Sequence, residues 1–247
     1  MGFIGDFKEG IALCEKGLRF VQHTDSLYSL GFVEIMYGLL YIVRGDGENA
    51  INHLQKAVAY GEKGQIIPVI SLASGFLGWG YYLLGNLEAA RQYIEKGLQI
   101  QEDTGLTMLM SLNKVALSMV HFASGDLNGA RTCAEKALEL ARSNDEKYAL
   151  GVSLIFLGMI LGKVDKLQYS TAEEYIIQGI ELCNKWKIRP LRSEGYLYLG
   201  ELYYDVAQRE KGLENLKKAE NEFADMGMDY WLRRTQEVLE RVEGDRN

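Results

Sequence analysis

Histidine side chains are the first candidates for chemistry, because imidazole can bind a metal ion or transfer a proton near neutral pH. The chain has three of them, His23, His53 and His121. They lie far apart along the chain, and none has a partner at a spacing typical of metal ligands. His121 stands where other copies of an internal repeat have tyrosine, so we interpret it as a packing residue. The histidines therefore predict no metal centre.

Thiol chemistry has equally little support. Cys14, Cys133 and Cys183 are odd in number, far apart and form no Cys-x-x-Cys pair. This usage is typical of reduced thiols in a cytosolic protein and not of a disulfide framework. We interpret the cysteines as small apolar helix residues and predict a cytoplasmic location.

Glycine-rich and acidic motifs give no stronger signal for catalysis. The run from Gly75 to Gly80 (GFLGWG) has glycines like those of a dinucleotide-binding loop, but the spacing is wrong and no strand precedes it. The sequence contains no GxxxxGK[ST] phosphate loop. Adjacent carboxylates such as Glu173 and Glu174 suit a solvated helix face. We therefore predict no enzyme activity and no cofactor.

Composition argues against two classes of partner. The chain carries 27 basic and 34 acidic residues, a net charge of −7, and only 2 prolines. An acidic protein is poorly suited to the phosphates of nucleic acid or to an anionic membrane surface. The uncharged stretch Ile66–Leu84 is long enough to cross a bilayer. It falls in phase with a repeat, however, and we predict neither a nucleic-acid nor a membrane partner.

The elements that must position any site come from an internal repeat of 40 residues. Turn glycines followed by Asp or Asn recur at Gly5, Gly45, Gly85 and Gly125. Five residues after each turn comes a small residue, a series that continues after a two-residue insertion near 163–169: Gly10, Ala50, Ala90, Ala130, Ala172 and Gly212. A second small column follows seven residues later, at Gly17, Ala57, Gly97, Ala137, Gly179 and Ala219.

Each repeat predicts a helix A, a short turn and a helix B. Glycine closes helix A because it accepts a left-handed backbone, and the following Asp or Asn caps helix B. The small columns let two antiparallel helices approach closely. The sequence predicts one domain over 1–247: a lone helix B at 7–23, pairs at 26–62, 66–103, 106–142, 148–186 and 191–225, and a capping helix at 230–242.

This pattern resembles the tetratricopeptide family over nearly the whole chain, as in Gly38, Tyr41, Ala50, Leu54 and Ala57. It departs from the family in its longer period and in lacking the helix-closing proline. Long units of this kind, and the segment 223–232, are similar to the C-terminal sensor regions of bacterial signalling ATPases of the maltose-regulator-like and cyclase-linked types. The resemblance implies an all-α, right-handed superhelical solenoid of stacked antiparallel helix pairs. It also implies a protein–protein interaction scaffold for signalling.

Helix A lines the concave groove in arrays of the family that this chain resembles. The repeat phase places the following residues there: Phe32, Ile35, Leu39, Phe76, Trp79, Tyr82, Val115, Met119, Phe122, Ile155, Met159, Tyr198 and Glu201. One interpretation is a groove that binds an apolar segment of a protein partner. The other is that tight curvature buries these side chains against neighbouring repeats. The groove lacks the Lys and Asn set with which chaperone-binding relatives clamp a peptide carboxylate.

The beginning of the chain carries a helix B without its helix A, which leaves one apolar face uncovered. We interpret the sequence as a C-terminal piece of a larger bacterial protein. The uncovered face also predicts a homodimer, so self-association is an alternative role. A third role, sensing of a small molecule in a superhelical pocket, stays open at this point.

Overall fold

The computed structural model describes residues 1–244, apart from the side chain of Lys166; residues 245–247, the end of the predicted domain, lie outside the described residues. The described part contains twelve α-helices and two short 3₁₀ turns, Gly2–Ile4 and Lys166–Gln168. The helices are α1 (Phe7–Val21), α2 (Leu27–Arg44), α3 (Gly47–Gly64), α4 (Ile67–Leu83), α5 (Leu87–Thr104), α6 (Met110–Ala123), α7 (Leu127–Ser143), α8 (Lys147–Val164), α9 (Tyr169–Trp186), α10 (Arg189–Asp205), α11 (Arg209–Met226) and α12 (Asp229–Gly244).

The helices form two layers. Each helix packs against the next along the chain, and the even-numbered helices also pack against one another from α2 to α12. The even-numbered helices are the predicted A helices, and they form the inner layer; the odd-numbered ones lie outside. No strand occurs in residues 1–244. The predicted fold class, an all-α solenoid of the tetratricopeptide type, is confirmed.

The turns follow the chemistry of the repeat. Gly45, Gly85 and Gly125 have backbone φ angles of 87°, 75° and 81°, in the left-handed region. The residue after each glycine then caps the outer helix: the Asp46 side chain accepts a hydrogen bond from the backbone N–H of Asn49 at 3.2 Å. Asn86 and Asp126 do the same for α5 and α7. The backbone groups at the turns are thereby satisfied.

Apolar composition in the inner layer reflects burial. Among the described helices, α2 and α8 are long and apolar enough to cross a membrane on length and composition alone. More than half of each is buried among neighbouring helices. The uncharged stretch at Ile66–Leu84 forms α4, which is shorter and is also mostly buried. Inner helices of a solenoid are covered on several sides, so an almost continuous apolar surface is expected of them.

The superhelix curves so tightly that its two ends meet. The inner helix α10 packs against α2 and against the 3₁₀ turn at Gly2–Ile4. The rings of Phe3 and Tyr148 lie 4.4 Å apart. The Arg44 Nε donates a hydrogen bond to the Gly227 carbonyl oxygen at 3.4 Å. We call the junction of residues 2–5 and 44–48 with residues 226–231 the closure seam.

Candidate functional site

The inner layer holds the thirteen predicted groove residues, and most of them are buried. Nine are less than a tenth exposed: Ile35, Leu39, Phe76, Val115, Met119, Ile155, Met159, Tyr198 and Glu201. The other four are only partly buried: Phe32, Trp79, Tyr82 and Phe122. Tight curvature presses the inner helices together, which is the second of the two interpretations of the sequence. Four aromatic side chains, on α2, α4 and α6, thus keep part of their surface exposed, and their role in binding stays a prediction.

Two of the repeat positions on the inner helices change from apolar to charged in α10 and α12. The repeat position of Phe32 is apolar in the next three A helices, then becomes Glu194 on α10 and Arg234 on α12. The position of Leu39 follows the same course and becomes Glu201 and then Arg241. The Arg241 guanidinium lies 3.5 Å from the Glu201 carboxylate. Two acidic residues seven apart on α10 thus have two basic residues at the equivalent positions of α12, and one of the two pairs is in contact.

Arg234 reaches into the interior of the superhelix. Its guanidinium carbon lies 5.3 Å from the centre of the Tyr198 ring and 5.7 Å from that of Trp231. The Tyr82 hydroxyl, on α4, lies within hydrogen-bonding reach of the same guanidinium. Cations bind favourably over aromatic faces, and arginine does so most often. We call Tyr82, Tyr198, Glu194 and Glu201 the arginine site.

Electrostatics within the arginine site are set by burial. Burial raises the pKa of Glu194 to about 8, and the charge of Arg234 acts in the opposite direction. Burial thus favours the protonated form of Glu194, and the ion pair of the site is the one between Glu201 and Arg241. Burial also raises the pKa of Tyr198 well above its ordinary value, so that its phenol stays neutral. The Tyr198 hydroxyl and the Trp231 indole N–H make no hydrogen bond within the described residues.

Two histidines have partners that the sequence spacing did not reveal. The His53 Nδ1 lies 2.6 Å from a carboxylate oxygen of Glu34, and its ring stacks on Tyr37 at 3.9 Å. Glu34 and His53 face each other across the hairpin of α2 and α3, so the pair depends on how two helices meet. His121, interpreted as a packing residue, lies 2.8 Å from an Asp126 oxygen. No group of three metal-binding side chains occurs in the part of the chain that the structure describes.

The cysteines occupy apolar surroundings. Cys183 is buried, and Cys14 and Cys133 are partly buried. Burial raises the pKa of all three thiols, that of Cys183 to about 12. A reactive cysteine needs a lowered thiol pKa, since the thiolate is the nucleophile. The surroundings therefore match small apolar helix residues.

An apolar face lies at the N-terminal end of the solenoid. On α1, the side chains of Leu13 and Phe20 are 51% and 74% exposed. A cavity of about 190 Å³ opens between α1, α2 and the first residues, lined by Met1, Phe3, Leu13, Cys14, Met36 and Leu40 among others. This is the face that a preceding helix A would cover in a longer array.

Comparisons with known proteins agree with the repeat architecture. The family model for the tetratricopeptide repeat matches residues 74–104 and 114–144. A search of curated proteins gave no match.

Solved structures match the chain at low sequence identity. The TPR-like repeats of a kinesin light chain of Podosopora anserina are 19% identical, with a TM-score of 0.53 over 81% of this chain and 98% of that one. A signal transduction ATPase with a tetratricopeptide repeat sensor, from Pyrococcus horikoshii, is 22% identical, with a TM-score of 0.59 over 85% of this chain and 32% of that one. A Rap protein complexed with competence and sporulation factor is 13% identical, with a TM-score of 0.63 over 94% and 69%. The chain therefore carries tetratricopeptide repeats at residues 74–104 and 114–144, and its fold is that of a solenoid of such repeats.

Proposed function

We propose that this repeat scaffold is the partner-binding or sensor region of a larger bacterial signalling protein that acts in the cytoplasm. The observation that carries the proposal is a set of partly exposed aromatic side chains among the predicted groove residues, the other nine of which are buried: Phe32, Trp79, Tyr82 and Phe122. Large aromatic side chains with a polar edge are typical of protein-binding sites. Two of the similar structures support a sensor role: one has a tetratricopeptide sensor, and the other is complexed with a signalling factor.

The partner that suits these side chains is a protein or peptide with an apolar segment. Such a segment binds by placing its apolar side chains against the aromatic residues of α4 and α6. Exposed aromatic side chains are typical of recognition surfaces, so binding and not catalysis is the proposed activity. Occupation of the inner face would alter the curvature of the solenoid, which is the route by which a sensor region signals to other domains.

The test compares two tryptophans on opposite layers. Trp79→Ala removes a partly buried inner-layer ring, and Trp186→Ala removes one on the outer helix α9 that is 44% exposed. Affinity capture from cells that encode the protein should lose the partner by about tenfold or more with Trp79→Ala and not with Trp186→Ala. Circular dichroism should show equal helicity for both. Undiminished capture by Trp79→Ala would contradict the proposal. Phe76 is fully buried, so replacing it would disturb the core as well.

A second candidate role, self-association, is favoured by the exposed Leu13 and Phe20 on α1. Two copies that pack these faces together would form a homodimer with an isologous interface. Light scattering on the purified chain should show a dimer that Leu13→Glu with Phe20→Glu converts to a monomer, because the charges would be buried in the interface. A wild-type chain that stays monomeric at high concentration excludes this role.

A further inference from the structure

We propose that α12 is an internal ligand of the inner face, and that the partner is a helical segment whose arginine replaces Arg234 between Tyr82 and Tyr198. This inference rests on the proposed function and names the chemical class of the partner.

The geometry of the arginine site is the first support. Arg234 lies over the Tyr198 ring of α10 at 5.3 Å and within hydrogen-bonding reach of the Tyr82 hydroxyl of α4. These two helices belong to different ends of the inner layer. A helix that only caps a solenoid needs contacts with the preceding repeat. Arg234 also reaches Tyr82 of the second helix pair, so α12 places a side chain in the interior of the superhelix beyond the repeat that it caps.

The spacing of the polar side chains, with one ion pair between Glu201 and Arg241, gives the chemistry of the ligand. Glu194 and Glu201 lie two helical turns apart on the inner face of α10, and Arg234 and Arg241 have the same spacing on α12. Trp231 and Val238 fill the apolar surface beside the two arginines and are buried. The matching ligand is therefore an amphipathic helix with arginines seven residues apart next to an aromatic residue. A planar guanidinium stacks on a ring and donates several hydrogen bonds, which lysine cannot do in the same geometry.

Several features of the docked α12 favour its displacement by a partner helix. The Tyr198 hydroxyl and the Trp231 indole N–H are buried and make no hydrogen bond within residues 1–244. The Arg241 side chain is 55% exposed although it faces Glu201. A terminal helix is among the parts of a fold that open locally at the lowest free energy. A partner helix that satisfies the Tyr198 hydroxyl would make a contact that α12 lacks.

The test uses the full chain and a fluorescein-labelled peptide with the sequence of α12, residues 229–244. The wild-type chain should bind this peptide weakly, since the tethered α12 competes at a high effective concentration. Arg234→Ala weakens the tethered competitor, and fluorescence anisotropy should then show at least about tenfold tighter binding. Arg233→Ala is the matched control: it makes the same charge change at the adjacent, exposed position and should bind as the wild type does.

The peptide carries the test of arginine recognition. Replacing its equivalent of Arg234 with alanine should lower the affinity for the Arg234→Ala chain by about tenfold, and replacing it with lysine should restore only part of the loss. Hydrogen exchange in residues 229–244 of the chain should accelerate when the peptide binds, because α12 is displaced. If Arg234→Ala does not fold, Val238→Ala replaces it in the test. This substitution weakens the docking of α12 through packing alone and should give the same gain in peptide affinity.

Two results would overturn the inference: no gain in peptide binding by either weakened chain, or equal binding of the peptide that lacks the arginine. The outcome is separable from that of the Trp79→Ala experiment. If Trp79→Ala loses the partner but no variant binds the peptide, the scaffold function is supported. The inference that the partner is an arginine-bearing helix is then wrong.

Discussion

Gly97 on α5 lies against the backbone of α4 where the two helices cross. A Cβ atom at this position would come within 2.8 Å of the Ser71 carbonyl oxygen and of the Gly75 nitrogen. The equivalent residues of two other pairs, Ala57 and Ala137, carry a methyl group and are fully buried. The separation of the helices therefore differs between repeats by about the size of a methyl group. The sequence predicts a small residue in this column, but the choice between Gly and Ala depends on the spacing of one particular pair.

This difference predicts opposite effects of one substitution at two equivalent positions. Gly97→Ala should lower the free energy of unfolding by about 1–3 kcal/mol, because the methyl group meets backbone that cannot move aside. Gly17→Ala, in the same column of α1, should raise it by about 0.5–1 kcal/mol, since alanine favours the helix. The nearest atom to a Cβ at Gly17 is Val33 Cγ1 at 3.8 Å. Urea denaturation measures both changes. Equal stability of Gly97→Ala and wild type would mean that the crossing can widen at no cost.

At the scale of elements, the start signals of the helices explain where sequence reasoning succeeded. Asp46, Asn86 and Asp126 cap α3, α5 and α7, as the Gly-Asp and Gly-Asn turns predicted. The outer helices α9 and α11 follow Gln168 and Gln208, whose side chains make no cap. Both helices lie after the two-residue insertion, where the turn motif is absent. The start of an outer helix could therefore be predicted where an Asp or Asn directly before the helix caps it.

The start of α6 was predicted at residue 106 and lies at Met110. The turn before it is held by contacts from other elements. The Gln101 side chain donates a hydrogen bond to the Met108 carbonyl at 2.8 Å, and a Glu146 oxygen accepts one from the Leu109 N–H at 2.9 Å. Leu109 has a left-handed backbone, with φ of 56°. The partner Glu146 is 37 residues away, which no local pattern can reveal.

For the last helix, too, the sequence predicts the element but not its contacts with distant helices. Charged residues interleaved with apolar ones predicted a helix at 230–242, and α12 occupies Asp229–Gly244. The change from apolar residues to Glu194 and then to Arg234 at one repeat position was visible in the sequence. The contact between Arg234 and Tyr82 was not, because it depends on the sum of small rotations over five helix pairs. The extent of burial of the inner face was unpredictable for the same reason.

The whole molecule departs from a simple solenoid because its ends touch. In a linear array each repeat contacts only its neighbours, and stability is close to a sum of local terms. Here the turn at Gly45 lies against Tyr230 and Trp231, and Arg44 bonds to Gly227. These contacts join residues more than 180 positions apart. We therefore expect the closure seam to couple the first and last repeats during unfolding.

Two turn glycines separate the effect of the seam from that of the turn. Gly45 and Gly85 both have positive φ angles, so alanine at either position should cost about 1–2 kcal/mol of unfolding free energy. At Gly45 the new Cβ would also lie 2.8 Å from the Tyr230 Cβ, whereas at Gly85 no atom lies within 4 Å. Gly45→Ala should therefore lose about 1–3 kcal/mol more than Gly85→Ala, because the seam must part.

Opening of the seam has its own observable. Small-angle X-ray scattering should show a larger radius of gyration for Gly45→Ala than for wild type and no change for Gly85→Ala, since only the first substitution separates the two ends. Arg234 on α12 also reaches Tyr82 on α4, so it too links the last helix to the first repeats. The same variant should therefore bind the α12 peptide more tightly than Gly85→Ala does. Equal stability and equal scattering of the two variants would show that the seam contributes nothing to the closed shape.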